Sequence, residues 1–447
     1  MANGISRRTL LKAGIGTAAA ATAGAAALAG CGRTTAGSSE PLEFWNFYTP
    51  NPLRTPTSIA QGGWFDTFIA DWNKKNKQQV KPIFIPNYTG TNKVQTSFAA
   101  GSGPDIFLMS PGDFLRYYNG GVLQDLTPYM TKEAIADFLP GALDTRTVDG
   151  HVYALPMEQE PLAIYYSEKV WEDAHLSEGD IPKTWDAMLE LAAKLETKDR
   201  AGLVFEPGQG YFQNFTWYPW MWQGGADAVG GDGKSAFDTK GAIQALQLFQ
   251  DGVVKGVSPR TNPAAGDLPA ALDKGQAAMW QSGIWNVADF RLRLPKTRYG
   301  IFRLPTPSGG RYATIAGGWA FVANKNGRNP EAAAKFCVEA VGSMDPASVK
   351  RVADWCTVAK SDISPRKSAL DLGTARGGYS TPIMKQFKDD IYPGTRGEPR
   401  YPPVIYKAIS DAIQNTMLAG HKAADEAEIA GASIDAYLKS YEGAKIL

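Results

Sequence analysis

Chemistry-bearing residues are scarce and scattered in this chain. It has three histidines and three cysteines in 447 residues. His151, His175 and His421 stand far apart, without the close spacing of a metal-binding pair. No Cys-x-x-Cys occurs, no Gly-x-Ser-x-Gly elbow and no glycine-rich phosphate loop. These absences argue against a structural zinc, a serine hydrolase and a nucleotide enzyme, and nothing implies a cofactor or a metal. Charge of one sign is also missing. Lysine plus arginine number 46 against 45 acids, a formal charge of +1, which leaves no electrostatic footprint for nucleic acid. Beyond the N-terminal segment, no apolar run is long enough to cross a bilayer.

Apolar residue does concentrate at the start. Ser6-Arg7-Arg8-Thr9-Leu10-Leu11-Lys12 is charged, Ala13 to Leu28 is apolar and alanine-rich, and Leu28-Ala29-Gly30-Cys31 closes with small residues. That order is the pattern of a secretory signal. The arginine pair resembles a Tat signal, and Leu-Ala-Gly-Cys resembles a bacterial lipobox. The resemblance implies a lipid on the Cys31 thiol and cleavage before it. Residues 1–30 are then the signal, and 31–41, small and polar, form a flexible tether. An exported chain meets oxidising conditions, so Cys337 and Cys356 either bridge or remain buried thiols on helices.

Downstream, strands and helices alternate. Leu42–Phe47, Val80–Ile85 and Asp105–Met109 have the make-up of strands, and Gly63–Lys75 and Asn92–Ala100 that of helices. Repeated β-α-β order predicts an α/β fold with a parallel sheet covered on both faces. Glu158 and Glu160, two apart on an expected strand, share a face. They suit a hydrogen-bonding rim better than carboxylates flanking a scissile sugar bond.

Aromatics are the strongest compositional signal. Seven of the twelve residues from Tyr211 to Trp222 are aromatic, and Trp280, Trp285 and Trp319 follow glycine-containing breaks or strands. Sugar C–H faces settle on such rings, and sugar hydroxyls need carboxylates, amides or arginine beside them. Most of these rings could equally be core, a reading that is weaker for Trp285 and Trp319 because each follows Gly or Ser at an expected strand-to-loop break.

The mature chain resembles the extracellular solute-binding proteins of ABC importers, the group that includes maltose-binding protein. The likeness lies in Gly103-Pro104-Asp105-Ile106-Phe107, Leu155-Pro156 through Glu160 to Ser167, Phe215-Thr216-Trp217, Ala278 to Trp285, and Asn329-Pro330-Glu331-Ala332-Ala333. It implies a two-lobe α/β periplasmic-binding-protein fold with hinge crossovers. Lobe 1 would take 42–150 and 314–361, and lobe 2 would take 151–313, with 362–447 supplying more of lobe 2 and the C-terminal helices. It further implies ligand contacts at Tyr48, Ser110, Asp113, Glu160, Asn214, Phe215, Trp217, Trp285, Gly318 and Trp319, with Arg366 and Arg400 in later polar segments. The expected ligand is a di- or oligosaccharide. The expected partners are membrane permease subunits with a cytoplasmic ATPase, the chain itself being a lipid-anchored monomer. Thr395-Arg396-Gly397-Glu398-Pro399-Arg400 also resembles the glycerol-phosphate-binding branch, which makes a phosphodiester the alternative ligand, and a secreted glycoside hydrolase is the alternative of another class. If Cys31 carries the lipid, Cys31→Ala should shift the exported protein from the membrane fraction to the medium or stop its processing, as fractionation and immunoblotting would show; unchanged membrane retention would refute the lipobox.

Overall fold

Nearly continuous apolar runs make strands that are buried on both faces. In the computed structural model, which describes residues 40–88 and 91–447, these runs assemble into two main sheets. The signal, most of the tether, and Cys31 lie outside the described residues.

The first sheet runs in the order Val80–Phe84, Leu42–Asn46, Ile106–Met109, Ala320–Ala323, Leu155–Pro156. Its first three strands are parallel, as the alternation predicts, and the last two join antiparallel. The departure has a topological cause: the last two strands leave for, or return from, the second sheet rather than following a crossover helix. The helix Pro56–Lys75 is capped by the Thr55 hydroxyl, which accepts the Ser58 N–H. It buries Phe65, Phe68, Ile69 and Trp72 against Phe44, Phe321, Phe336 and Trp355.

The second sheet runs Thr395–Gly397, Thr314–Gly317, Glu160–Ser167, Ala277–Gly283, Ala201–Val204. One edge of Glu160–Ser167 is shared, with Thr314–Gly317 at its start and Tyr299–Phe302 at its end. The aromatic run forms the helix Tyr211–Gln223, and from Gln213 onward every residue of it is buried. Trp217 and Trp220 donate their indole N–H groups to the Ala245 carbonyl (3.2 Å) and Gln281 Oε1 (3.1 Å). Most of that run is therefore core of the second lobe.

Among the described residues, three of the segments that pass between the lobes lie side by side: Pro156 to Glu160, Gly317 to Ala320, and Lys360–Ile363. The segments are laced together: Met157 N–H donates to the Trp319 carbonyl (2.9 Å), and Gln159 and Ile363 exchange both backbone bonds (2.8 and 3.1 Å). Boundaries placed at 151 and 314 thus fall a few residues early, because Leu155–Pro156 still pairs within the first sheet and Thr314–Gly317 still pairs within the second. The segment 362–447 is also divided, since Ala369 enters the first lobe's core and Phe387 and Ile391 enter the second's.

The expected alternative of a Cys337–Cys356 disulfide is corrected: both are free thiols, fully buried in the first lobe's core. Cys356 Sγ donates instead to the Met157 carbonyl at 3.6 Å. Burial pushes both thiols up, so each serves as a small apolar side chain.

Candidate functional site

The crossings meet under a cleft of about 340 Å³. Both sheets contribute to its walls, and seven aromatic rings line it: Phe47, Tyr48, Tyr211, Phe212, Phe215, Trp285 and Trp319.

Each ring is placed by an identifiable local device. After the strand Leu42–Asn46, Asn46 Oδ1 accepts the N–H groups of Tyr48 (2.8 Å) and Thr49 (2.7 Å), turning the chain so that Tyr48 stacks on Phe65 at 5.1 Å. Trp285 depends on Gly283. A Cβ there would meet the Trp285 ring at 1.8 Å, so only glycine lets the indole fold back over the strand end. The Gly283 carbonyl is itself held by the Tyr165 hydroxyl (2.7 Å) and Asn286 Nδ2 (3.1 Å). Phe212 and Phe215 approach Trp285 at centroid distances of 6.0 and 6.4 Å. On the other wall Trp319 meets Phe47 edge-on at 4.7 Å. It follows Gly318, whose φ of 121° and close approach to the Glu158 carbonyl exclude any side chain.

At the base lies Lys360. Its ammonium is bonded to Glu158 Oε2 (2.9 Å) and Glu160 Oε1, with Asp362 Oδ2 at 3.4 Å. Burial pulls the Lys360 pKa down, but the three carboxylates outweigh it and hold the amine well above its ordinary value. Glu158 also accepts the Trp319 N–H (3.1 Å) and the Trp355 indole N–H (2.6 Å). Both its oxygens are committed to the protein. Glu160 is 7% exposed. It uses one oxygen on Lys360, the other carries no protein hydrogen bond among the described residues, and the residue lines the cleft. Burial raises Glu160 to about 7, against the opposing pull of Lys360. Glu158, Glu160 and Asp362 have the spacing of a cation site, and the Lys360 ammonium provides the positive charge among them.

One hydrogen bond and one close approach bridge the lobes beside the cleft. Thr57 Oγ1 donates to Asp289 Oδ1 at 2.7 Å, and Asp289 is steadied by Arg293 at 3.2 Å. Tyr211 donates its hydroxyl to Glu398 Oε2 at 2.9 Å, beside Ser110 and Gly112 of the first lobe. Glu398 is 1% exposed, and burial raises it to about 8 in spite of the Tyr211 bond and Arg146.

Of the residues singled out in the sequence, Tyr48, Glu160, Phe215, Trp285 and Trp319 come together around the cleft. The others do not line it. Ser110 is buried beside the Tyr211 hydroxyl, and Asp113, paired with Arg116 at 3.6 Å, lines a neighbouring hollow. Gly318 gives its carbonyl to Arg146 Nη2 (2.8 Å). Asn214 is fully buried, with Nδ2 on the Tyr406 carbonyl, and Trp217 is core. Arg366 is fully buried, bound to Asp137 (2.8 Å) and to the Ser343 carbonyl (2.8 Å). Arg400 bonds the carbonyls of Thr147 (2.7 Å) and Lys445 (3.0 Å). Phe47, Thr57, Gln61, Tyr211, Phe212, Asp289 and Lys360 line the cleft without having been singled out. Tyr211 and Phe212 lie within the aromatic run, whose first turn is the part that opens to the cleft. No sequence signal marks Lys360.

Residues 56–338 match the family described as bacterial extracellular solute-binding protein. The maltodextrin-binding protein MdxE of Bacillus subtilis (strain 168) is 27% identical over 290 residues, 61% of this chain and 65% of that protein. A putative binding protein of Brucella abortus (strain 2308) is 24% identical over 246 residues, 54% of this chain, and the match spans only 59% of that relative's length. Among solved structures, an ABC transporter solute-binding protein from Thermotoga lettingae bound with α-D-tagatose superposes with a TM-score of 0.74 at 20% identity, covering 90% of this chain and 100% of that one. UgpB from Mycobacterium tuberculosis in complex with glycerophosphocholine gives a TM-score of 0.72 at 17% identity, covering 90% and 99%. At these identities the structural likeness is one of fold.

The raised carboxyls fix the sign of a pH effect. A carboxyl whose folded pKa exceeds its unfolded value binds more protons when folded, so its stabilisation is present at low pH and is lost as pH rises through the folded pKa. With Glu160 at about 7 and Glu398 at about 8, the melting temperature should fall between about pH 5.5 and about pH 8.5. Glu398→Gln should flatten part of that slope in a thermal-melt series; a slope unchanged by the substitution would show that Glu398 ionises freely in the folded protein.

Proposed function

The chain belongs to the bacterial extracellular solute-binding proteins, and on that premise we propose that it captures a carbohydrate, a di- or oligosaccharide, for an ABC importer. The protein binds and releases its ligand without converting it. It acts as a monomer on the outer face of the cell membrane, exported by the Tat route and anchored through a palmitate-bearing lipid on Cys31. Its partners are permease subunits driven by a cytoplasmic ATPase.

One observation carries this reading: an aromatic-walled cleft has at its base a glutamate with a carboxylate oxygen that no protein donor among the described residues uses. Rings from both lobes offer faces to sugar C–H groups, and Glu160 and Gln61 offer acceptors and donors for hydroxyls. A ligand that touches Tyr48 and Trp319 on one side and Phe215 and Trp285 on the other gains contacts only when the lobes are together, so it favours the closed state by differential affinity. The names of the relatives agree, since they include maltodextrin-, maltotriose- and galactooligosaccharide-binding proteins.

The alternatives have less behind them. A hydrolase needs two carboxyls set apart across the scissile bond, roughly 5 Å or more. Here Glu158 and Glu160 grip the same ammonium, and Glu158 has no oxygen to spare. The phosphodiester reading rested on the 395–400 segment. Its Arg396 pairs with Asp227 over the Trp222 ring, and Arg400 binds backbone carbonyls. Neither lines the cleft.

Isothermal titration against a panel of sugars and glycerophosphodiesters decides the matter. A carbohydrate should bind, and Trp285→Ala should weaken it about tenfold or more while the apo melting temperature stays near wild type. Wild-type affinity in that variant would remove Trp285 from the site.

A further inference from the structure

The charges lining the cleft do not balance. Its wall carries Glu160, Asp289 and Lys360, and no arginine or histidine among the described residues. Asp289 is matched by Arg293. Lys360, the cation on the wall, is over-matched, for its one ammonium serves three buried carboxyls. The base of the cleft therefore has acidic capacity to spare, and the group that offers it is Glu160, which lines the cleft with one oxygen on Lys360 and one without a hydrogen bond among the described residues.

The walls work in the same direction. An aromatic face presents the negative part of its quadrupole, and a cation within about 6 Å of a ring centroid is attracted to it. The protein already uses this effect, with Lys360 Nζ 6.0 Å from the Tyr48 ring and 5.7 Å from the Trp355 ring. An ammonium in the cleft would meet Trp285 and Phe215 faces and an unmatched carboxyl together. A phosphate or carboxylate placed there would meet the same groups with the opposite sign.

We infer that the ligand is an amine-bearing sugar, a carbohydrate whose protonated amino group pairs with the free oxygen of Glu160 in the aromatic cleft. The inference rests on the carbohydrate reading above and narrows it. Pairing with an ammonium requires Glu160 as carboxylate, and the groups that face it set when that holds. Lys360 favours the ionised form, whereas burial and Glu158 disfavour it; Asp362, Tyr48 and Glu398 also face Glu160 and are themselves raised by its charge, and Asp289 and Tyr211 are the other ionisable groups on the cleft wall. Preference for the amine should grow as pH rises through the Glu160 value of about 7.

The test uses matched di- to tetrasaccharides, α- and β-linked, that differ at one carbon by a free amine, an N-acetyl group or a hydroxyl. Titration of the purified mature protein should show some aminated member bound at least about tenfold tighter than its N-acetyl and hydroxyl counterparts. That preference should shrink below the Glu160 pKa and disappear in Glu160→Gln. Should Glu160→Gln fail to fold, the pH dependence of the wild-type preference stands as the second readout. Neutral members binding as well as or better than aminated ones, or a preference that ignores pH, would overturn this inference and leave carbohydrate capture in place. Binding of no sugar at all would overturn both.

Discussion

A single ammonium, Lys360 Nζ, sits among three buried carboxyls where three segments crossing between the lobes converge. Burying an ion costs several kcal/mol even after relaxation, and only close pairing with full hydrogen bonding offsets that cost. Each partner of Lys360 comes from a crossing segment. Glu158 and Glu160 belong to the first, Asp362 lies beside Ile363 in the third, and Glu158 reaches the second through the Trp319 N–H. The cluster thus ties all three crossings at one point. The ion pairs tolerate little separation in a low dielectric, so the segments are held together at this point.

The cleft inherits its geometry from this constraint. Fixing Glu158 fixes Trp319, which carries the first lobe's aromatic wall with Phe47. Fixing Glu160 sets the start of the strand that pairs with Ala277–Gly283, whose last glycine lets Trp285 lie back over the opening. The second wall follows from the first turn of the helix Tyr211–Gln223, the rest of which is anchored in the core by Trp217 and Trp220. Preorganised walls on two bodies, with a base that cannot slip, lower the ordering cost of capture.

How much of this was legible depended on the range of the interaction. The strands Leu42–Asn46 and Ile106–Met109 are written in local pattern and lie within a residue or two of the expected bounds. Trp285 and Trp319 were legible because each stands after glycines that permit an unusual approach. Trp217 and Asn214, which the resemblance implies as contacts, are buried away from the cleft, and helix phase separates Phe215 from Trp217. Arg366 and Arg400 resemble ligand contacts in sequence, yet they bind backbone carbonyls and Asp137, distant in sequence. Lys360 and the Thr57–Asp289 bridge join residues about two hundred positions apart, which no local pattern records.

The central claim is that the Lys360 cluster is a mutual compensation of buried charges on which the crossings depend. Chemical denaturation of Lys360→Met, compared with Lys360→Met combined with Glu158→Gln and Asp362→Asn, tests it most directly. Removing the ammonium alone leaves unmatched buried carboxyls and should cost about 3–5 kcal/mol of unfolding free energy. Neutralising two of those carboxyls in the same chain should restore more than half of the loss, a large non-additive coupling. A single variant within about 1 kcal/mol of wild type, or a triple variant whose losses simply add, would contradict the account.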